Sequence, residues 1–160
     1  MGRITPCLWF DREGEDAAEF YVSVFPGSRI VHVARYGDAG PRPAGTVMTV
    51  SFELDGQPFL ALNGGPEFTF SEAISFQVSC ETQDEVDRYW SRLADGGEEG
   101  PCGWLKDRFG VSWQVVPTAL PRLLASPDAD AAQRVMRAML NMKKIQIAEL
   151  EEAAAEPAHA

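Results

Sequence analysis

The sequence predicts an α+β fold made of two tandem β-α-β-β-β modules followed by helices. The first observation is a helical stripe that occurs twice: Ala17, Phe20, Tyr21 and Val24, then Val86, Tyr89, Trp90 and Leu93, shifted by 69 residues at every position. Both sets keep the i, i+3, i+4, i+7 spacing of a helix with one buried face. The second is a strand-like run at the same offset before each stripe. The third is a group of short strand-like runs after each stripe. A fixed order of elements recurring along a chain marks a duplicated unit.

Taken in order, Ile4 to Phe10 is apolar and reads as the first strand. The first helix stops at Pro26-Gly27, where proline removes a donor and glycine permits a left-handed turn. Three strands follow at Arg29 to Tyr36, Thr46 to Leu54 and Gln57 to Asn63. Asp55-Gly56 joins the last two as a tight hairpin, and Gly37 to Gly45, rich in proline and glycine, is a loose loop. Residues Gly64 to Glu72 form a linker. Ala73 to Cys80 then alternates, with Ile74, Phe76 and Val78 on one face and Ser75, Gln77 and Ser79 on the other. Thr82 followed by Glu85 is a capping box that starts the second helix, and Gly96-Gly97 ends it. Short strands follow near Glu98 to Cys102, Gly103 to Lys106 and Val111 to Val116, with a turn at Arg108-Phe109-Gly110. Beyond Pro117, Ala132, Val135, Met136, Met139 and Leu140 keep helical spacing, which Ile147 and Leu150 extend. The expected organisation is a first module over 3–64, a second over 72–117, a helical segment over 118–152 and a disordered tail over 153–160. The two modules form one domain.

Composition narrows the function classes. The chain has 160 residues, 14 basic against 24 acidic, for a net charge of −10. That balance speaks against a nucleic-acid or anionic-membrane partner. The longest apolar runs are too short for a membrane-spanning helix. The opening Met1-Gly2-Arg3-Ile4-Thr5-Pro6 lacks an apolar signal core, so a cytoplasmic location is expected. Three cysteines, Cys7, Cys80 and Cys102, are an odd number and far apart, unlike a disulfide framework or a cysteine-rich zinc site.

The strand alternation sorts two faces. Ile74, Phe76, Val78, Met48, Val50, Phe52, Leu54, Trp113 and Val115 are expected to pack on the helices. Thr49, Ser51, Glu53, Ser75, Gln77, Ser112 and Gln114 fall on the opposite side, and Asn63 is placed with them. Such a face is either a ligand groove with neutral hydrogen-bonding groups or simply the wet side of antiparallel strands. Periodicity leaves both open. Trp104 either caps the groove or packs at a seam, and Trp9 is a second large aromatic near it. Cys102, in Gly100-Pro101-Cys102-Gly103, is either a reactive thiol or a small packed residue; no histidine stands near it to activate it. Asp107-Arg108 is either an anion site or a charged turn. Glu53, the one carboxylate on the polar face of a central strand, is a weak candidate for a general base, or an exposed surface acid. The methionines Met136, Met139 and Met142 read as core or dimer packing sooner than as an adaptable surface.

The segments Ile4-Thr5-Pro6-Cys7-Leu8-Trp9-Phe10-Asp11, Phe20-Tyr21-Val22-Ser23-Val24-Phe25-Pro26, Glu98 through Pro117, and Met139-Leu140-Asn141-Met142-Lys143-Lys144-Ile145 resemble one family. The chain is identified as similar to the vicinal-oxygen-chelate superfamily of glyoxalases, bleomycin-resistance proteins and extradiol dioxygenases. Within it, the chain resembles the PhnB-like branch, labelled "3-demethylubiquinone-9 3-methyltransferase". The resemblance covers roughly residues 3 to 153. It implies that the modules form a curled mixed sheet and that the protein is a homodimer. It also implies that a metal, where one is used, is held by the first and last strands of each module. Carried over by helix register, those positions are Pro6, Ala61, Ser75 and Gln114. They offer no good ligand set, since zinc needs three or four nitrogen, sulfur or oxygen donors, and hard cations need several oxygens. No metal and no cofactor are therefore expected. Only two histidines exist: His32, away from these positions, and His159 in the tail. The methyltransferase label finds no Gly-rich nucleotide turn after a first strand, because Gly64-Gly65-Pro66 opens no helix; it reads as a family misannotation.

The expectation is a metal-free small-molecule binding protein with a groove between the modules. Its ligand-binding residues would be Thr49, Ser51, Asn63, Ser75, Gln77, Trp104 and Gln114. The alternative is a glyoxalase-type lyase or isomerase, or a dioxygenase-like enzyme, with a non-standard metal site. A dimeric scaffold without a ligand is the third reading.

Overall fold

A computed structural model describes residues 3–157. The chain divides into two compact units, Met1–Phe70 and Ser71–Ala160. Each contains one β-α-β-β-β module with its own four-stranded mixed sheet.

The first unit has strands β1 (Cys7–Phe10), β2 (Arg29–Arg35), β3 (Val47–Leu54) and β4 (Gln57–Asn63), with helix α1 (Gly14–Val24). The strand order is β1-β4-β3-β2, with β1 parallel to β4 and the other pairs antiparallel. The β3–β4 hairpin turns at Asp55 and Gly56, both with positive φ, 47° and 81°. That is the backbone hand an Asp-Gly two-residue turn supplies. Pairing puts Leu8, Val50, Phe52, Phe59 and Ala61 on the face covered by α1, and all are buried. Tyr21 of α1 stacks on Phe52, ring centres 6.2 Å apart, and Phe52 on Phe59 at 5.4 Å.

Helix α1 has no side-chain cap of its own at Glu13. Asn63, at the end of β4, supplies one: its Oδ1 accepts from Gly14 N–H at 2.8 Å. Its amide group donates to the carbonyls of Arg12 and Val47. Asn63 is thus a buried cap on the helix side of the sheet, not a member of the opposite polar face. A Cβ on Gly14 would lie 2.6 Å from that Oδ1, so the glycine allows the approach.

The second unit has β5 (Ser75–Cys80), α2 (Gln83–Ala94), β6 (Glu98–Glu99), β7 (Trp104–Lys106) and β8 (Ser112–Pro117). Its order is β5-β8-β7-β6, with β5 parallel to β8 and the rest antiparallel. Thr82 caps α2 by accepting from Glu85 N–H at 3.2 Å. The Glu85 carboxylate reaches one residue further back than a standard capping box, to Glu81 N–H at 2.6 Å. Helix α2 covers the face carrying Leu105, Trp113 and Val115, where Phe76 lies 5.5 Å from Trp113. Ile74, expected on this face, precedes β5 and is 73% exposed.

Three helices follow: α3 (Ala119–Leu124), α4 (Ala129–Leu140) and α5 (Ile147–Ala155). Leu120, Val135, Met142, Ile145 and Leu150 form their common core, with Val116 and Met139 packed against it. Leu140, which keeps the helical spacing of α4, is exposed. Helix α5 runs into the stretch expected to be disordered from residue 153, because Arg134 donates to the carbonyls of Ala153 and Ala154. His159 lies outside the described residues.

Candidate functional site

The side of the second sheet turned away from α2 carries the site. Its residues fall in two rows set by pairing. One row runs Glu98, Lys106, Ser112, Ser75 across β6, β7, β8 and β5. The next runs Trp104, Gln114, Gln77. Gln114 Nε2 donates to Ser75 Oγ at 2.9 Å and ties the rows together. Four residues singled out from the sequence, Ser75, Gln77, Trp104 and Gln114, therefore share one face.

At the edge of this face lies a cavity of about 450 Å³. Its walls include Trp104, Cys102 and Leu105, with Glu72, Glu98, Glu99 and Lys106 around it and Ser112 inside. Ser112 is 2% exposed, and its Oγ has no hydrogen-bond partner among the described residues. Burying a hydroxyl without a partner is unfavourable, and this one belongs to a residue that lines the cavity. The sequence placed Ser112 on the right face. It gave no sign that the hydroxyl lacks a partner, which depends on what surrounds it in space.

Lys106 pairs with Glu72 at the cavity. The pairing holds the Glu72 carboxyl below its ordinary range, and Glu72 in turn holds the lysine above its own. Glu99 Oε1 accepts from Trp90 Nε1 at 2.8 Å. Cys102 has φ 57° and Gly103 φ 81°. Their N–H groups donate to the carbonyls of Met142 and Lys143, both at 2.8 Å. The loop before α5 thus holds the turn that forms one wall.

The turn from β7 to β8 is organised by Asp107, which is buried. Its Oδ1 accepts from Phe109 N–H at 2.8 Å and Val111 N–H at 3.0 Å, and its Oδ2 from Trp113 Nε1 at 2.8 Å. Arg108 turns to Asp95, donating to its carboxylate at 2.8 Å and to its carbonyl at 3.1 Å. The pair thus holds a turn and a helix end. Asp107 fixes the strands that present Lys106 and Ser112.

The remaining candidates belong to the first unit. Thr49 and Ser51 lie on the face of β3 away from α1, level with Leu62 and Leu60 of β4. His32 is level with Ser51 and exposed. Glu53 pairs with Arg29 at 2.9 Å; the arginine is exposed and the carboxylate half-buried. Trp9 donates from Nε1 to the Gly65 carbonyl at 2.8 Å and lies against Gly64, with Phe68 edge-on at 5.0 Å. Its indole N–H is thus already engaged.

The four positions to which helix register carries metal ligands do not make a donor set. Pro6 has no donor side chain. Ala61 is buried on the α1 side, so the helix offset does not translate into strand facing there. Ser75 and Gln114 bond each other. Among the described residues, no three His, Cys, Asp or Glu side chains come together as a metal cluster. The donors present do not fit the superfamily's metal.

Comparison with known proteins agrees with this architecture. The family model described as 3-demethylubiquinone-9 3-methyltransferase matches residues 2–116. A solved PhnB protein from Bacillus cereus, bearing the same methyltransferase name, is 37% identical at TM-score 0.66, over 73% of this chain and 100% of its own. Protein PA1353 from Pseudomonas aeruginosa, 22% identical at TM-score 0.61 over 73% and 98% of the two chains, shares the fold. So does the fosfomycin resistance protein FosX from Mesorhizobium loti, 16% identical at TM-score 0.56 over 78% and 98%. No curated protein matches the sequence. Two β-α-β-β-β modules, with a family match across both and a relative at this identity, place the chain in the PhnB-like 3-demethylubiquinone-9 3-methyltransferase family of the vicinal-oxygen-chelate superfamily.

Proposed function

We propose that the protein is a metal-free small-molecule binding protein whose ligand enters the cavity beside β7 and β8. The observation that carries this reading is Ser112 Oγ, a buried hydroxyl without a partner on the wall of a 450 Å³ cavity. That volume suits a small organic ligand, which a few fixed polar groups on a mostly apolar wall would orient. Ser75, Gln77 and Gln114 extend the polar surface along the sheet. The protein works as a homodimer in the cytoplasm, without nucleic-acid or membrane partners; no helix among the described residues is long and apolar enough to cross a membrane.

The methyltransferase name is a label and does not describe the activity proposed. A typical S-adenosylmethionine-dependent methyltransferase uses a doubly wound sheet with a Gly-rich turn into a helix. Neither four-stranded sheet offers one.

The test has two arms on untagged protein. Elemental analysis, before and after soaking with zinc, nickel, manganese and iron, is expected to show no stoichiometric metal. A thermal-shift screen of neutral and aromatic metabolites is expected to give ligands whose effect is lost in Ser112→Ala. One metal per chain, or ligands indifferent to that substitution, would overturn the reading.

A further inference from the structure

The charges around the cavity narrow the ligand class. Two carboxylates, Glu72 and Glu98, stand with one ammonium, Lys106, which is already paired with Glu72, while the Glu99 carboxylate is turned to Trp90 of α2. Glu98 stands directly beside Lys106 on the neighbouring strand. An anionic ligand would meet a further carboxylate, Glu98, and would have to take Lys106 from its partner. A cation meets an acidic rim, an unpartnered hydroxyl oxygen at Ser112 able to accept from it, and the indole of Trp104, whose face attracts positive charge. The chain as a whole carries −10, which draws cations toward it.

We propose that this cavity binds an organic cation, a protonated amine or amidinium on a flat apolar body. The ammonium sits at the rim beside Glu98, and the ring lies along Trp104 toward Ser112. This deepens the small-molecule reading and rests on it.

Three probes that share one ring but differ in charge test it: tryptamine, indole and indole-3-acetate. Binding is followed by amide chemical-shift mapping on the full chain and by calorimetry at low and high salt. Tryptamine should shift the amides of Ser112, Trp104 and Lys106 and bind about tenfold or more tighter than indole-3-acetate. Added salt should narrow that gap. Glu98→Gln should weaken tryptamine about five- to tenfold while leaving indole unchanged. Glu98 is exposed, so this variant is expected to fold. Ser112→Ala should weaken tryptamine independently.

Indole-3-acetate binding as tightly as tryptamine, or tryptamine indifferent to Glu98→Gln, would overturn the ligand class. If indole shifts these amides and tryptamine gains nothing over it, the ligand class fails while the small-molecule reading stands. If none of the three shifts the Ser112 amide at millimolar concentration, both fail.

Discussion

Ser112→Ala should make the protein more stable and less able to bind. Opposite signs mark a site that holds an unsatisfied group at a cost in stability. The hydroxyl is 2% exposed and unpartnered. Mutational data put the cost of burying such a group at about 1–3 kcal/mol. Alanine removes only the oxygen, and it does so on a cavity wall, so it opens little new void. The expected gain is about 1 kcal/mol in the ligand-free protein. For a chain of this size that corresponds to a rise in Tm of about 2–4 °C. Urea unfolding followed by circular dichroism, with the slope m unchanged, reads this directly. A ligand stabilises only the form it binds, so one that uses Ser112 should raise the wild-type midpoint and leave the variant's nearly still. A loss of 1 kcal/mol or more in Ser112→Ala without ligand would mean the hydroxyl is already satisfied. The site would then not be one poised to receive a partner.

Other outcomes follow from the same structure. Asp107→Ala leaves two backbone N–H groups and the Trp113 indole N–H without their acceptor, so a loss of about 3–5 kcal/mol is expected in urea unfolding. Asp107→Asn should cost less, and adding Trp113→Phe should recover part of the difference, because the amide would otherwise present a donor to the indole N–H; purely additive effects would refute that pairing. Cys80 is fully buried, and burial pushes its thiol from 9.0 to about 11, with nearby Glu85 adding to the shift. Its folded pKa is raised, so its contribution is complete below the unfolded value and is lost as pH climbs from about 9 to 11. The loss is about 2–3 kcal/mol at the upper end. Stability measured across that window should fall in wild type and fall less in Cys80→Ala; parallel curves would refute the assignment.

The sequence by itself determined the duplicated architecture. The stripes at Ala17 and Val86 became α1 and α2, the Asp55-Gly56 pair made its hairpin, and Thr82 capped its helix. These signals are local: periodicity, turn chemistry and capping depend on residues a few positions apart. Alternation likewise put Ser75, Gln77, Ser112 and Gln114 on one face, because side chains alternate along any strand. Alternation could not say where a strand begins or ends, and there it misled. Asn63 fell on the helix side because pairing with β3 and the need to cap α1 set its facing. Ile74 lay before its strand began. Ala61 turned inward although helix register pointed to a ligand position. Tertiary structure alone decided the rest. Asp107 and Arg108 read as a charged pair, yet one became the buried centre of a turn and the other a helix-end contact. Whether Ser112 has a partner depends on atoms contributed by β6, β7 and the turn at Cys102. Hydrogen-bond satisfaction is a property of a three-dimensional neighbourhood, and no spacing along a chain records it.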